Sequence, residues 1–478
     1  MNSYSISSND TFSLELSDDN GKPDDVYVFV KFLGEGSFGK VFLVRHRESK
    51  SMRAMKEISK DDEFDESDIQ NEIDILKKLD HPHIVKIYEF FSYREKYYLI
   101  TEYCKEGELF DQINKLHQFK EDVAANILYQ LVEAVNYCHK QGIVHRDLKP
   151  ENILIENIDK NGMFFIKVID FGTAKVFEKG KKERKLIGSC FYIAPEVIKK
   201  NYNEKCDLWS AGVILYILLC GQPPFSGQTD QETLEKIIDS ALSFCHKEFD
   251  KVSKEGIDLI KMLLDKNPKT RPAAEDVLNH PWFKKHKTKE KLTGLSDDRI
   301  KSFIGNLKEY RADYKLQQAA IAIIVHNVPH TEEIKELERA FRRIDKNGDG
   351  RLTRQELIEG FIELQGKSNE EATNDVDRIF KNVDNDNNGY LEYEEFIRAC
   401  IDKKKLLDDS YLKFAFSFFD ADGSGQITIK ELKEIFCGGG DVEVSEKVMK
   451  QILGNIDENG DGQISYEEFK KMMTDILG

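Results

Sequence analysis

From residue 331 onward the chain repeats itself, and the repeat leaves little freedom in what this half can become. Four times a helix-patterned stretch runs into a twelve-residue acidic loop and out into another such stretch, with a period near 37 residues. The loops open at Asp345, Asp384, Asp420 and Asp457. Each carries Asp or Asn at its third residue, Gly at its sixth, an aliphatic at its eighth and Glu at its twelfth. One such loop is a turn that chance can supply; four in phase dictate four helix–loop–helix units. Their shared chemistry suits a hard divalent cation of calcium's size, which takes about seven oxygens at roughly 2.3–2.6 Å. Short side chains early, a glycine at the sharp turn, one backbone carbonyl and a late bidentate carboxylate supply those oxygens.

The candidate ligands of the first loop are Asp345, Asn347, Asp349, the Arg351 carbonyl, Thr353 and Glu356. The second offers Asp384, Asp386, Asn388, the Tyr390 carbonyl, Glu392 and Glu395. In the third they are Asp420, Asp422, Ser424, the Gln426 carbonyl, Thr428 and Glu431. The fourth has Asp457, Asn459, Asp461, the Gln463 carbonyl, Ser465 and Glu468. Every liganding position keeps an oxygen, so four calcium sites are expected, with Glu392 an extra acid in the second.

The loops do not account for the rest of the chain. At 478 residues it exceeds one core, and two or three domains are expected. A hydrophobic content of 40% with 33% charged residues describes a globular protein. The net charge of −17 argues against a nucleic-acid binder but leaves open strong local fields of either sign. Eight cysteines stand without a Cys-x-x-Cys pair, which reads as reduced thiols rather than a disulfide framework or zinc site. The longest apolar run, Ala211 to Cys220, is half a membrane span. No signal sequence or myristoylation glycine opens the chain, so a cytoplasmic protein without a membrane anchor is expected. Residues 1–24, rich in Ser, Asp and Asn, read as a disordered tail.

Residues 145–152, His-Arg-Asp-Leu-Lys-Pro-Glu-Asn, carry a second chemistry. Phosphoryl transfer needs a carboxylate for the attacking hydroxyl's proton, a cation on the moving phosphoryl group and an oxygen ligand for Mg²⁺; Asp147, Lys149 and Asn152 offer them. The companions are in order. Leu33 precedes Gly34-Glu-Gly36-Ser-Phe-Gly39-Lys-Val41, glycines that let a backbone approach phosphates. A dinucleotide fold would open a helix there, whereas Val41-Phe-Leu-Val-Arg45 continues as a strand, so the motif reads as a hairpin lid over ATP. Lys56 ends the next strand and suits the α- and β-phosphates. A helix from Ser67 to Leu79 buries Ile69, Ile73, Leu76 and Leu79 and sets Glu72 where it can hold that lysine. The Tyr97–Glu102 strand leads to a hinge, Glu102-Tyr-Cys104, whose backbone groups would meet adenine. Asp170, in Asp-Phe-Gly172, is the second magnesium carboxylate, and Ala194-Pro-Glu196 closes the segment. On these motifs residues 25–283 resemble a eukaryotic protein kinase; Lys149 and Gly188-Ser189 resemble the Ser/Thr class.

Residues 284–330 form a junction. Ser296-Asp-Asp is a good helix start, and Ile300, Phe303, Ile304, Leu307, Arg311 and Tyr314 follow at helical spacing among Lys301, Lys308 and Lys315. Such a basic amphipathic helix either packs on its own kinase lobe or is gripped by a calmodulin-like groove.

A Ser/Thr kinase domain (25–283), a basic amphipathic junction (284–330) and four EF-hands (331–478) together resemble the calcium-dependent protein kinases. The resemblance implies an α+β bilobal kinase followed by an all-α calmodulin-like domain, with ATP, Mg²⁺ and Ca²⁺ as cofactors. It also implies a junction that inhibits the kinase until calcium-loaded EF-hands seize it, with Arg299, Lys301 or Lys308 plugging the cleft. Glu108 and Glu151 match family positions that bind an arginine upstream of the phosphoacceptor, while Ile217 replaces another acid; protein substrates with Ser/Thr near basic residues are implied. A monomer is expected. Arg146 normally meets a negative charge in the activation segment, yet Val176 to Gly188 holds no Ser, Thr or Tyr, and Lys185 stands where relatives often place an acid. Glu178 or Glu183 would have to substitute. The competing reading is a calcium-binding scaffold with a catalytically silent kinase fold.

Overall fold

The computed structural model describes the chain apart from residues 1–3, 7–13, 17–20, 37–38, 61–65, 178–182, 184–187, 287, 289–293, 311–314, 328–331, 385, 438–452, 454–455 and 476–478. Arg311, Tyr314, Glu178 and Lys185 therefore lie outside the described residues. Within residues 1–24, read above as disordered, Tyr4–Ile6 and Leu14–Leu16 pair as an antiparallel hairpin. Both strands alternate apolar and polar residues, the period that suits a pleated ribbon.

The first lobe is a five-stranded antiparallel sheet of β1 (Tyr27–Gly36), β2 (Gly39–His46), β3 (Met52–Ser59), β4 (Ile87–Tyr93) and β5 (Lys96–Glu102), ordered β1-β2-β3-β5-β4. Helix α1 (Glu66–Lys78) packs beside it with Ile69, Ile73 and Leu76 buried, the stripe its apolar spacing anticipates. The second lobe is helical. Its centre is α2 (Glu121–Lys140) against α3 (Cys206–Cys220), the latter buried at every position from Cys206 to Cys220. The Ala211–Cys220 run is thus a core helix. Among the described residues no helix is long and apolar enough to cross a membrane. At the base of this lobe Arg271, fully buried, meets Glu196 with both guanidinium nitrogens, Nη2 at 3.0 Å from Oε2. Ion pairs so deep hold their neighbours in place because either partner alone would be an uncompensated charge.

The junction is two helices. In α4 (Asp297–Glu309), the Ser296 hydroxyl accepts the Arg299 N–H at 3.3 Å, and Ile300, Phe303, Ile304 and Leu307 are buried. They face the helices of the first two calcium loops, among them Arg354–Gln365, Asn369–Val383 and Tyr393–Cys400. Helix α5 (Lys315–Asn327) is nearly all apolar from Ala319 to Val325 and packs against Tyr393–Cys400 and Asp409–Phe419, so it touches both EF-hand pairs. Of the two readings of the junction, the described structure has the groove rather than the kinase lobe around α4.

Within each EF-hand pair the loops are joined by a short antiparallel ribbon. Arg351–Thr353 pairs with Tyr390–Glu392 and Gln426–Thr428 with Gln463–Ser465, aligning the eighth-position aliphatics Leu352 with Leu391 and Ile427 with Ile464. All four are buried.

Candidate active site and calcium loops

The cleft between the kinase lobes gathers its charges in opposite-sign pairs. Strand register sets Val41 opposite both Gly34 and Lys56, bringing the glycine hairpin over the lysine. Gly39 has φ +136, and a Cβ there would lie 2.0 Å from the Glu57 carbonyl oxygen, so only glycine allows the hairpin to close on β3. The Lys56 ammonium lies 3.1 Å from Glu72 and 3.6 Å from Asp170. Burial alone would favour neutral Lys56, but the two carboxylates outweigh it and raise its pKa. Helix α1 is therefore seated with Glu72 turned inward, the placement that positions this lysine for phosphates.

Asp147 is held from three sides. Lys149 donates to its Oδ2 at 2.8 Å, and the Ser189 hydroxyl and N–H each donate to Oδ1 at 2.9 Å. Asn152 donates to the Asp147 carbonyl at 2.9 Å. Burial pushes the Asp147 carboxyl up, yet Lys149 and Ser189 outweigh it and hold it below the ordinary carboxylate range. The loop itself hangs on buried Asp207, which accepts the N–H groups of His145 at 3.0 Å and Arg146 at 2.9 Å. Sequence reasoning assigned neither Ser189 nor Asp207 this work. Ser189 had a signal in its place after Gly188, but its reach to Asp147 spans 42 residues of chain.

Leu33 is exposed at the lip of the cleft, and Cys104 is buried, its thiol pushed well up by burial. The Glu102 N–H is spent on the Lys86 carbonyl at 2.9 Å, and its carboxylate, buried, pairs with Lys167 at 3.1 Å. Its side chain thus serves the hinge, leaving only backbone for a nucleotide. Arg146 donates to the Thr173 carbonyl at 2.6 Å and the Tyr202 hydroxyl at 3.4 Å, and among the described residues no carboxylate pairs with it. The Glu183 carboxylate goes to Lys175.

The calcium loops are built on the opposite principle: like charges converge and backbone N–H groups hold them. The first-position Asp accepts the sixth-position glycine N–H in every loop, Gly350 to Asp345 at 2.9 Å, Gly389 to Asp384 at 3.1 Å, Gly425 to Asp420 at 2.8 Å and Gly462 to Asp457 at 2.8 Å. The twelfth-position Glu accepts the ninth-position N–H: Thr353 to Glu356, Glu392 to Glu395, Thr428 to Glu431 and Ser465 to Glu468, all at 2.8–3.2 Å. In the first, third and fourth loops that Glu also reaches back over the loop's start, to the N–H groups of Lys346, Asp422 and Glu458. Carboxylate oxygens of Asp384, Asp386 and Glu395 lie within 4.8 Å of one another, as do those of Asp420, Asp422 and Glu431. Burial and the acids Asp349 and Glu356 push the Asp345 carboxyl far up. Crowded acids on short backbone tethers fit a divalent cation, whose charge would remove the repulsion.

Two of the junction's basic residues pair with acids on the EF-hand helices, outside the loops. Arg299 lies 2.8 Å from Glu336 and Lys308 3.0 Å from Asp375, both in the EF-hand region, and Lys301 is exposed.

Comparison with known proteins agrees with both halves. The protein kinase domain family matches residues 27–283, and the EF-hand domain pair matches residues 334–401 and 409–474. Calcium-dependent protein kinase 4 of Plasmodium falciparum is 40% identical over 464 residues, covering 95% of this chain and 87% of that protein. Calcium-dependent protein kinase 5 of the same organism is 37% identical over 460 residues, covering 96% and 79%. Calcium-dependent protein kinase 3 of Oryza sativa is 36% identical over 459 residues, covering 95% and 81%. A paired Lys56–Glu72, an anchored Asp147 and four calcium-type loops on one chain thus belong to a calcium-activated serine/threonine kinase, and the chain is a member of the calcium-dependent protein kinase family.

Proposed function

We propose that calcium switches this kinase by deciding where the junction helices lie. Without calcium the junction holds the kinase inactive; with four ions bound, each EF-hand pair grips part of α4 and α5 and keeps them from the cleft. The observation that carries this reading is the burial of Ile300, Phe303, Ile304 and Leu307 among EF-hand helices while Lys56–Glu72 and Asp147–Lys149 are paired. A tethered helix meets its groove at high effective concentration, so modest affinity suffices.

In the cleft, Mg²⁺-bound ATP supplies the phosphoryl group. Asn152 and Asp170 would hold the metal, and Lys56, with the glycine hairpin, the phosphates. Asp147 orients the substrate hydroxyl and takes its proton, while Lys149, 2.8 Å away, sits where charge develops on the moving group. Glu108 and Glu151 raise an acidic wall beside the site. Burial, Asp111 and Glu151 push the Glu108 carboxyl up, an environment that an arginine of the substrate would relieve. With Ile217 buried in place of a further acid, the preferred protein substrate has a basic residue three positions before its Ser or Thr. A cytoplasmic monomer is consistent with this reading.

The test is phosphate transfer from Mg-ATP to a Ser peptide with an upstream arginine, in calcium and in chelator. Activity in calcium alone supports the switch. Equal activity in both conditions overturns inhibition by the junction, and calcium binding without activity in either favours the silent scaffold.

A further inference from the structure

The four calcium loops share a fold but not surroundings. At the fourth position of each loop stand Gly348, Asn387, Gly423 and Gly460, all with positive φ, and at the sixth Gly350, Gly389, Gly425 and Gly462. A Cβ at Gly423, Gly425, Gly460, Gly462 or Gly389 would meet nothing within 4 Å. At Gly348 it would lie 3.0 Å from Leu278 Cδ1 and 3.6 Å from Glu133 Cγ; at Gly350, 2.7 Å from both His81 and Tyr137. All four of those neighbours belong to the kinase domain, and His81, Glu133, Tyr137 and Leu278 are buried.

The contact is also polar and specific. Asn136, on α2 and 3% exposed, donates from Nδ2 to the Gly348 carbonyl at 3.0 Å. One turn before the loop, on Glu332–Ile344, Arg342 lies 3.6 Å from Glu133, which in turn lies 3.6 Å from the His83 ring. The second loop meets the kinase domain further along, where the Glu394 N–H donates to Asp80 at 2.7 Å.

Resting on the calcium-switched reading, we propose that the first calcium loop is a contact element of the kinase domain. Its turn, the part that must close for a cation, is cast against α2 and Leu278, so ion affinity at this loop and the seating of the EF-hand region on the kinase are one equilibrium. Reciprocity then follows: whatever the ion adds to the seating, the kinase surface adds to the ion. The surface fits this loop because it offers one amide donor for the turn's carbonyl and no room for a side chain where glycine stands.

The second loop shows how to break the contact without breaking the loop. It has Asn387 at the fourth position, which is no ligand, with φ 53 close to Gly348's φ 64. Gly348→Asn therefore keeps a residue that such loops accept, while its side chain must displace Leu278 or Glu133. Gly423→Asn makes the same change where nothing stands near. Full-length protein would be titrated with calcium by calorimetry, and amide exchange followed over residues 133–140. With calcium present, Gly348→Asn is expected to weaken one ion site about tenfold, the scale of overpacking a tight contact, and to lose protection at 133–140. Gly423→Asn should leave both as in the parent. Asn136→Ala, made in the kinase domain, should weaken the same site and covers the case of a poorly folded Gly348 variant. Equal behaviour of the two glycine variants, or an Asn136→Ala protein that binds all its calcium as the parent does, would overturn the proposal. Neither readout requires activity, so loss of the calcium-switched reading and loss of this contact are told apart.

Discussion

The kinase cleft and the calcium loops use the same residue types to opposite ends. At the centre of the cleft the acids have a cation at hand: Glu72 and Asp170 meet Lys56, and Asp147 meets Lys149. In the loops the acids face one another, Asp384 with Asp386 and Glu395, Asp420 with Asp422 and Glu431, restrained by backbone N–H groups. A set of charges balanced by the protein is ready before any ligand arrives. A set left unbalanced waits for an ion, and its energy of waiting is what the ion releases. The first arrangement makes a catalyst; the second makes a switch.

That contrast can be broken first on its catalytic side. Asp147→Asn keeps the side chain's shape but turns one acceptor oxygen into a donor and removes the proposed base, and kcat for peptide phosphorylation is expected to fall about 10³-fold with calcium binding unchanged by calorimetry. The structural charge at the lobe's base comes next. Glu196→Gln leaves Arg271 buried without its counter-charge, a loss of roughly 3–5 kcal/mol that chemical denaturation of the kinase domain would read. On the switch side, Glu431→Gln alters a candidate calcium ligand that also ties Asp422 and Thr428. It should raise the half-activating calcium concentration by about 10–100-fold, the range known for lost supporting groups at metal sites, while activity at saturating calcium persists. A full-strength response at unchanged calcium would remove the third loop from the switch.

The smallest effect sharpens the comparison at a group with neither partner. His46 is buried with Arg53 and Lys50 near, which lowers its pKa to about 4, and its Nδ1 accepts the N–H groups of Glu48 and Ser49 at 3.2 and 3.1 Å. Because the folded pKa lies below the ordinary 6.5, the unfolded chain takes the proton first. The stability held above pH 6.5 is therefore lost as pH falls toward 4, by up to about 1.4 kcal/mol per pH unit. Thermal unfolding at pH 7.5 and 5.5 should show that slope in the parent and a flatter one in His46→Gln.

What the sequence made legible was whatever chemistry requires at short range. The twelve-residue loops and the 145–152 octet are local, because ligands of one ion and groups around one phosphoryl must sit close, and local spacing survives in the chain. Lys56 and Glu72 were also readable, since one ends a strand and the other lies on the stripe side of the next helix. The readings failed where partners are remote. Ser189 caps Asp147 across the activation segment, and the pairing of the Glu102 carboxylate with Lys167 had no local signal. The split of the junction into α4 and α5 was hidden because apolar spacing says which face is buried, not where two grooves divide the helix between them. Arg146 resting on Thr173 and Tyr202, with no acid among the described residues, likewise belongs to tertiary packing.

The ribbons that join the loops in pairs have a temporal consequence. Leu352 is aligned with Leu391, and Ile427 with Ile464, so no loop can settle around its ion without moving the backbone of its twin. In a pair that takes two ions, the ordering cost would be met largely by the first, and the second would arrive to a loop already set. Such a sensor ignores a concentration that half fills it. It stays silent through small, steady leaks and answers a pulse that crosses a narrow threshold.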